Sequence, residues 1–152
     1  MKNIVLIQAR LNSTRFPMKI LSKYKKLTML EILITRLKLS KRIDKIVVIT
    51  PAKERKTKIK KIVNNLKIPI FYGSEKNVLK RYFDAAKKFK ADNIIRITSD
   101  CPLIDPFLLD KMLEKYEKSN YDYLSNTLQP TFPDGLDIEI FNKNCLKDAF
   151  EK

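Results

Sequence analysis

The chain has 152 residues, 44% of them hydrophobic, which is enough for the core of one globular domain and short for two. Its formal net charge of +15 points toward a polyanion, but 25 of the 32 basic residues are Lys scattered through KYKK, KERKTKIKK and KKFK, and Lys spread this way reads as a solvated surface rather than a nucleic-acid face. With no His and no CxxC pair an ordinary zinc site is not expected; no apolar run reaches membrane-span length, and MKNIVLIQAR has too short an apolar run and no small-residue cleavage site for a signal peptide, so a reduced, cytoplasmic protein without a membrane partner is expected.

Short β-branched runs alternate with longer segments of helical period, the pattern of a mainly parallel α/β sheet. In chain order the spacing predicts a strand over 3–9 (NIVLIQA), a helix over 28–40, a strand over 45–50 (KIVVIT) and a helix over 53–66. A strand over 68–73 (IPIFYG), a helix over 75–89 and a strand over 92–98 (DNIIRIT) follow. A helix over 106–118 then precedes two looser strand-like pieces, 121–126 and 136–141, so the late part of the sheet is expected to be mixed. The chain closes on a helix-like NKNCLKDAFEK.

In an open α/β sheet, ligands bind beyond the carboxyl ends of the strands, which singles out three loops. The first, Gln8 to Lys19, places Arg10, Arg15 and Lys19 beside the hydroxyls of Ser13 and Thr14, the chemistry of a phosphate-binding loop without its usual glycines and without a Walker motif. The second runs from Arg96 to Pro106. Asp100 falls just past the strand end, placed to hold Mg²⁺, which takes few carboxylates and completes its shell from water and phosphates. Asp105 precedes Pro106 and is better explained as a helix N-cap. The third, Pro133 to Phe141, opens on a Pro-Asp-Gly turn and puts Asp137 and Glu139 two apart on one strand face, opposite Leu136, Ile138 and Ile140.

Four stretches in this order, QARLNSTRFPMKIL, FYGSEKNVLKRY, ADNIIRITSDCPLIDP and PDGLDIEIF, resemble the spore-coat polysaccharide biosynthesis cytidylyltransferase-like family, relatives of the acylneuraminate and 3-deoxy-manno-octulosonate cytidylyltransferases. The resemblance implies a three-layer Rossmann-like sandwich of the nucleotide-diphospho-sugar transferase, glycosyltransferase-A type. It also implies transfer of CMP from CTP to an acidic sugar or related acceptor, with release of pyrophosphate and with Mg²⁺ as cofactor, in surface polysaccharide biosynthesis. Arg10 and Lys19 match the positions that grip the triphosphate, with Arg15 in the same loop, and Asp100 matches the metal-binding acid. Gln8, Ala9, Ser13, Thr14, Arg81, Thr98 and Ser99 complete the expected nucleotide-binding set, and Asp137 and Glu139 the acceptor side. Members of the family often dimerise and usually continue several dozen residues further, so residues 1–152 are expected to form a single nucleotidyltransferase domain, the N-terminal core of a longer chain.

The chain departs from the family's pattern at Asn12 and Met18, where Gly is usual, and at Asn77, where Asp is usual. A Met with positive φ would be strained. Two other functions share parts of this sequence: a glycosyltransferase of the same fold, and a non-enzymatic polyanion-binding module.

Overall fold

The computed structural model describes residues 1–11 and 16–152. Its main sheet contains β1 (Asn3–Gln8), β4 (Lys45–Pro51), β5 (Ile70–Gly73), β6 (Asn93–Thr98), β7 (Tyr123–Ser125) and β8 (Glu139–Asn142), in the spatial order β5-β4-β1-β6-β8-β7. A small antiparallel hairpin, β2 (Lys23–Tyr24) and β3 (Leu27–Thr28), stands apart from it. The helices are α1 (Met29–Leu37), α2 (Lys58–Asn65), α3 (Val78–Phe89), α4 (Pro106–Glu117) and α5 (Lys143–Glu151).

β5, β4, β1 and β6 run parallel, whereas β8 pairs antiparallel with β6 and with β7, so the late sheet is mixed as its looser alternation predicts. The central strands are apolar on both faces because both are covered: Ile4, Val5, Leu6 and Ile7 are all buried. Val5, Ile7, Val48, Ile95 and Ile97 pack with Leu33 and Leu37 of α1, Ile59 of α2 and Leu109 and Leu113 of α4. Ile4, Leu6, Val47 and Ile94 face the other way, onto Tyr82, Ala85 and Ala86 of α3 and Leu146 of α5. The result is the expected three-layer sandwich.

Helix starts follow local chemistry. Thr28 and Glu31 form a reciprocal capping box on α1, with Glu31 N donating to Thr28 Oγ1 at 3.2 Å and Thr28 N to Glu31 Oε2 at 2.7 Å. Asn77 caps α3, its Oδ1 accepting from Lys80 N at 2.8 Å, so Asn performs there the capping that Asp would. The helix expected over 53–66 is instead a 3₁₀ turn, Ala52–Lys56, followed by α2. The break lies at Thr57, which is extended and donates from Oγ1 to Glu54 O at 2.8 Å, while the buried Glu54 carboxylate turns inward and accepts from Leu11 N at 3.2 Å. The final strand begins at Glu139, three residues later than the apolar pattern suggests.

Strand order reverses beside β1: β4 and β5 lie on one side and β6 on the other. The crevice that such a reversal opens falls at the carboxyl ends of β1 and β6, where Gln8 and Thr98 are register partners.

Candidate functional site

The end of β1 forms the floor of this crevice. Ala9 is fully buried and its N–H donates to Ile49 O at 3.0 Å, while Ser99 N donates to Gln8 O at 3.1 Å, so three strand ends are tied together. Arg10 emerges exposed from this floor. Ser13, Thr14 and Arg15, together with Asn12, lie outside the described residues. Met18 N–H donates to Leu11 O at 2.9 Å, and the φ of Met18, 57°, is left-handed, a strained geometry for a residue with a side chain.

Lys19 opens the 3₁₀ turn that follows, and its ammonium forms an ion pair with the Asp100 carboxylate. The first and second loops therefore meet, and two of the residues singled out by the sequence are in direct contact. Burial alone would push the Asp100 carboxyl up. Hydrogen bonds from Lys19, from Thr98 and from its own backbone N–H outweigh this and hold it below the usual Asp range, so it is ionised at neutral pH. The side chain is 39% exposed, which leaves part of the carboxylate open to the crevice.

Behind Asp100 the loop is built for rigidity. Thr98 Oγ1 lies 3.2 Å from Cys101 Sγ, and Ser99 is buried, so these two shape the turn that presents Asp100. Burial pushes the Cys101 thiol up, against its contact with Thr98, and the charges of Asp100 and Asp137 push the same way. Asp105 is the N-cap of α4, its Oδ1 accepting from Phe107 N at 2.8 Å and from Leu108 N at 3.4 Å, with Pro106 at the first helical position.

Three expected site residues sit differently from the sequence reading. Arg81, expected to face the nucleotide, is 1% exposed; its Nη1 donates to Ser74 O at 2.5 Å, so it supports the turn entering α3 from beneath. Burial pulls its guanidinium down, Tyr82 opposes this, and the nearby Arg10 adds to it. Gly73 makes the arrangement possible, since a Cβ there would lie 2.9 Å from Arg81 Cγ and 2.8 Å from Phe71 Cε1. Asp137 and Glu139, expected side by side on one strand, are not both in the strand. Asp137 precedes β8 and borders a 270 Å³ cavity with Asn126, Pro133 and Asp134, whereas Glu139 lies within β8 and pairs with Arg96 of β6. A strand that starts at Glu139 cannot hold both carboxylates in one row.

Arg96 was not singled out by the sequence reading, although its signal was present: it is the one charged residue of β6, set between Ile95 and Ile97. Glu54, which ties Leu11 to the turn after β4, was hidden inside a Lys-rich run that reads as solvated surface.

For metal binding, no cluster of three or more His, Cys, Asp or Glu occurs among the described residues. Asp100, ionised, partly exposed and beside a basic loop, fits an ion that takes most of its shell from a phosphorylated substrate and water, as Mg²⁺ does. No helix of the described residues is long and apolar enough to cross a membrane.

Comparison with known proteins bears on the family and the fold. The chain is 41% identical over 151 residues to an uncharacterized protein of Methanocaldococcus jannaschii, covering 99% of this chain and 61% of that one. It is 34% identical over 151 residues to the spore coat polysaccharide biosynthesis protein SpsF of Bacillus subtilis, covering 95% and 61%. The chain thus spans about three-fifths of the length of these relatives. Among solved structures, a cytidylyltransferase from Leptospira borgpetersenii superposes with a TM-score of 0.93 at 39% identity, covering 99% of this chain and 64% of that one. A CMP:2-keto-3-deoxy-manno-octonic acid synthetase complexed with CTP shares the fold, with a TM-score of 0.80 at 16% identity over 99% of this chain and 78% of that one. Residues 4–152 match the family described as cytidylyltransferase, and the chain belongs to that family.

Proposed function

We infer that the chain carries the nucleotide site of a cytidylyltransferase that transfers CMP from CTP to an acidic sugar or related acceptor and releases pyrophosphate. The observation that carries this reading is the meeting of Lys19 and Asp100 across the crevice between β1 and β6, which sets a phosphate-seeking cation against a carboxylate suited to a divalent ion. The match to the cytidylyltransferase family and the likeness to the Leptospira enzyme support it. The name of the Bacillus relative points to a role in surface polysaccharide synthesis.

Nucleotidyl transfer asks chiefly for alignment of the incoming oxygen with the leaving pyrophosphate and for neutralisation of charge on the phosphates. Arg10, exposed beyond the buried strand end, and Lys19, on the facing turn, supply fixed positive charge to the β- and γ-phosphates. The tied ends of β1, β4 and β6 keep these groups from drifting apart. Asp100 is the residue that would hold Mg²⁺, and such an ion, when bound, neutralises developing phosphate charge. Arg81 acts at one remove, by fixing the Ser74 carbonyl and with it the turn that leads into α3.

Titration of CTP, UTP, ATP and GTP into the chain by calorimetry, with and without Mg²⁺ at physiological salt, tests the reading. Selective, Mg²⁺-dependent binding of CTP is expected. Binding of all four alike, or loss of binding in proportion to salt without base preference, would return the chain to a general polyanion binder. Pyrophosphate release on addition of acceptor separates it from a glycosyltransferase of the same fold.

A further inference from the structure

The residues on either side of Arg10 are tied to one part of the fold. Before it, the fully buried Ala9 donates from its N–H to Ile49 O of β4 at 3.0 Å. After it, the Leu11 N–H, which belongs to the Arg10–Leu11 peptide, donates to Glu54 Oε1 at 3.2 Å, and Glu54 lies in the 3₁₀ turn that directly follows β4. A peptide unit is planar, so a fixed partner for the Leu11 N–H restrains the direction in which the Arg10 backbone runs.

Glu54 is placed unlike the residues around it. It is the only acid in the run KERKTKIKK, yet it is 3% exposed while its neighbours Lys53, Arg55 and Lys56 are exposed. Two of these cations are engaged elsewhere: Lys53 pairs with Glu75, and Arg55 lies over the Tyr72 ring, 4.6 Å from its centroid. A carboxylate in such a run could meet a cation at the surface with little loss of hydration, whereas burying it is costly unless a hydrogen bond meets the charge. The Leu11 N–H does so, in a charge-assisted bond. The root of the side chain is fixed as well, because Glu54 O accepts from Thr57 N at 3.1 Å and from Thr57 Oγ1 at 2.8 Å.

Arg10 is a side chain that needs such a restraint. It lies close enough to Arg81 for its charge to act on that guanidinium, and Arg81 is buried and held on Ser74 O, so repulsion between the two displaces Arg10 first. An exposed Arg that samples many directions loses them all on gripping an anion, and that loss weakens affinity unless the group is preorganised. We propose that Glu54 is a positioning residue for the nucleotide: through the Leu11 N–H it holds the Arg10 backbone in the direction that presents the guanidinium to the triphosphate. Glu54 acts through Arg10 and not by a contact of its own. This rests on the cytidylyltransferase reading and adds to it a residue from the turn after β4.

The test compares wild type with Glu54→Gln, which keeps a carbonyl acceptor of the same reach, Glu54→Asp, one methylene short, and Glu54→Leu, which has no acceptor. CTP is titrated by calorimetry with Mg²⁺, and urea unfolding confirms that each variant is folded. Glu54→Gln is expected to stay within threefold of wild type, and Glu54→Asp and Glu54→Leu to bind at least tenfold more weakly. On an Arg10→Ala background, Glu54→Asp should change CTP affinity by less than twofold, since a residue that acts through Arg10 has nothing left to act on. Asp and Leu variants within threefold of wild type overturn the proposal. So does a Gln variant as weak as Glu54→Leu, or the same tenfold loss with and without Arg10. Amide exchange by NMR supplies a readout without nucleotide: the Leu11 N–H is expected to exchange slowly in wild type and Glu54→Gln and fast in Glu54→Asp, and fast exchange in wild type overturns the proposal. Failure of wild type to bind CTP while its Leu11 N–H is protected overturns the cytidylyltransferase reading instead, and the role of Glu54 falls with it.

Discussion

The Lys19 ammonium donates to the Asp100 carboxylate across a separation of 81 residues, and this contact joins the loop after β1 to the loop after β6. Neither partner is deeply buried, so the pair contributes little to global stability. Its effect is local: it helps to hold the Asp100 carboxyl below the usual Asp range and joins the two loops.

Asp100→Asn is therefore expected to lower nucleotidyl transfer by about 10²–10³-fold, the range found when one preorganised electrostatic contact to a transition state is removed. Its unfolding free energy should change by less than about 1 kcal/mol. Pyrophosphate release and urea unfolding, measured on the same preparation, check both parts. Near-wild-type turnover would remove Asp100 from the site.

The pH dependence follows from the same contact. Asp100 has its folded pKa depressed, so whatever stability it contributes is present above the unfolded Asp value and is lost as pH falls through the lower, folded one. The Asp100 contribution to CTP binding should accordingly hold constant from neutral pH down through the usual Asp range and weaken only below it, apart from the nucleotide's own phosphate titration at about pH 6. In Lys19→Met one of the groups that lower this pKa is gone, and the acid limb should move to higher pH. Calorimetric titration at stepped pH on both proteins measures the shift.

Gly73→Ala places a methyl group against the Phe71 ring and Arg81 Cγ, both closer than 3.0 Å. Arg81 is buried and pinned to Ser74 O, so it cannot give way cheaply. A loss of about 1–3 kcal/mol is expected, the usual result of overpacking. Because the displaced Arg81 also holds the turn into α3, nucleotide affinity should fall with stability, which chemical denaturation and calorimetry together report.

Asp105→Ala removes the N-cap of α4 and should cost about 1 kcal/mol in unfolding free energy while leaving CTP binding unchanged. A loss of binding without a loss of stability would return Asp105 to the site.

Met18→Gly relieves a left-handed residue whose side chain is 55% exposed and so packs little. The relief, about 1–2 kcal/mol, is partly offset by the greater freedom of Gly in the unfolded chain, about 0.4–1 kcal/mol, so stability should be equal or slightly higher. Met18→Ile, β-branched at the same φ, should be less stable than wild type. Thermal unfolding of the two variants distinguishes these signs.

Much of the fold was legible because the central strands are covered on both faces, and NIVLIQ and NIIRIT declare themselves by composition alone. The switch from helical to strand period located Asp100, and the Asp105-Pro106 pair announced its cap. What the sequence could not convey depends on a third dimension. Arg81 has the helical spacing of an exposed cation, and only the close approach of Gly73 shows that it runs under the turn. Asp137 and Glu139 share a parity that matters only if the strand extends across both, and the ladder with β6 reaches Glu139 and stops. Arg96 was visible as an anomaly, but its partner 43 residues away was not.

Leu11 is held twice, by its N–H on the buried Glu54 carboxylate and by its carbonyl under the Met18 N–H. Together these contacts act as a clasp that shuts the base of the basic loop, with one arm rooted in the turn after β4. Breaking the clasp at Glu54 would release the Leu11 N–H from the turn after β4 and leave the Met18 arm alone to hold Leu11.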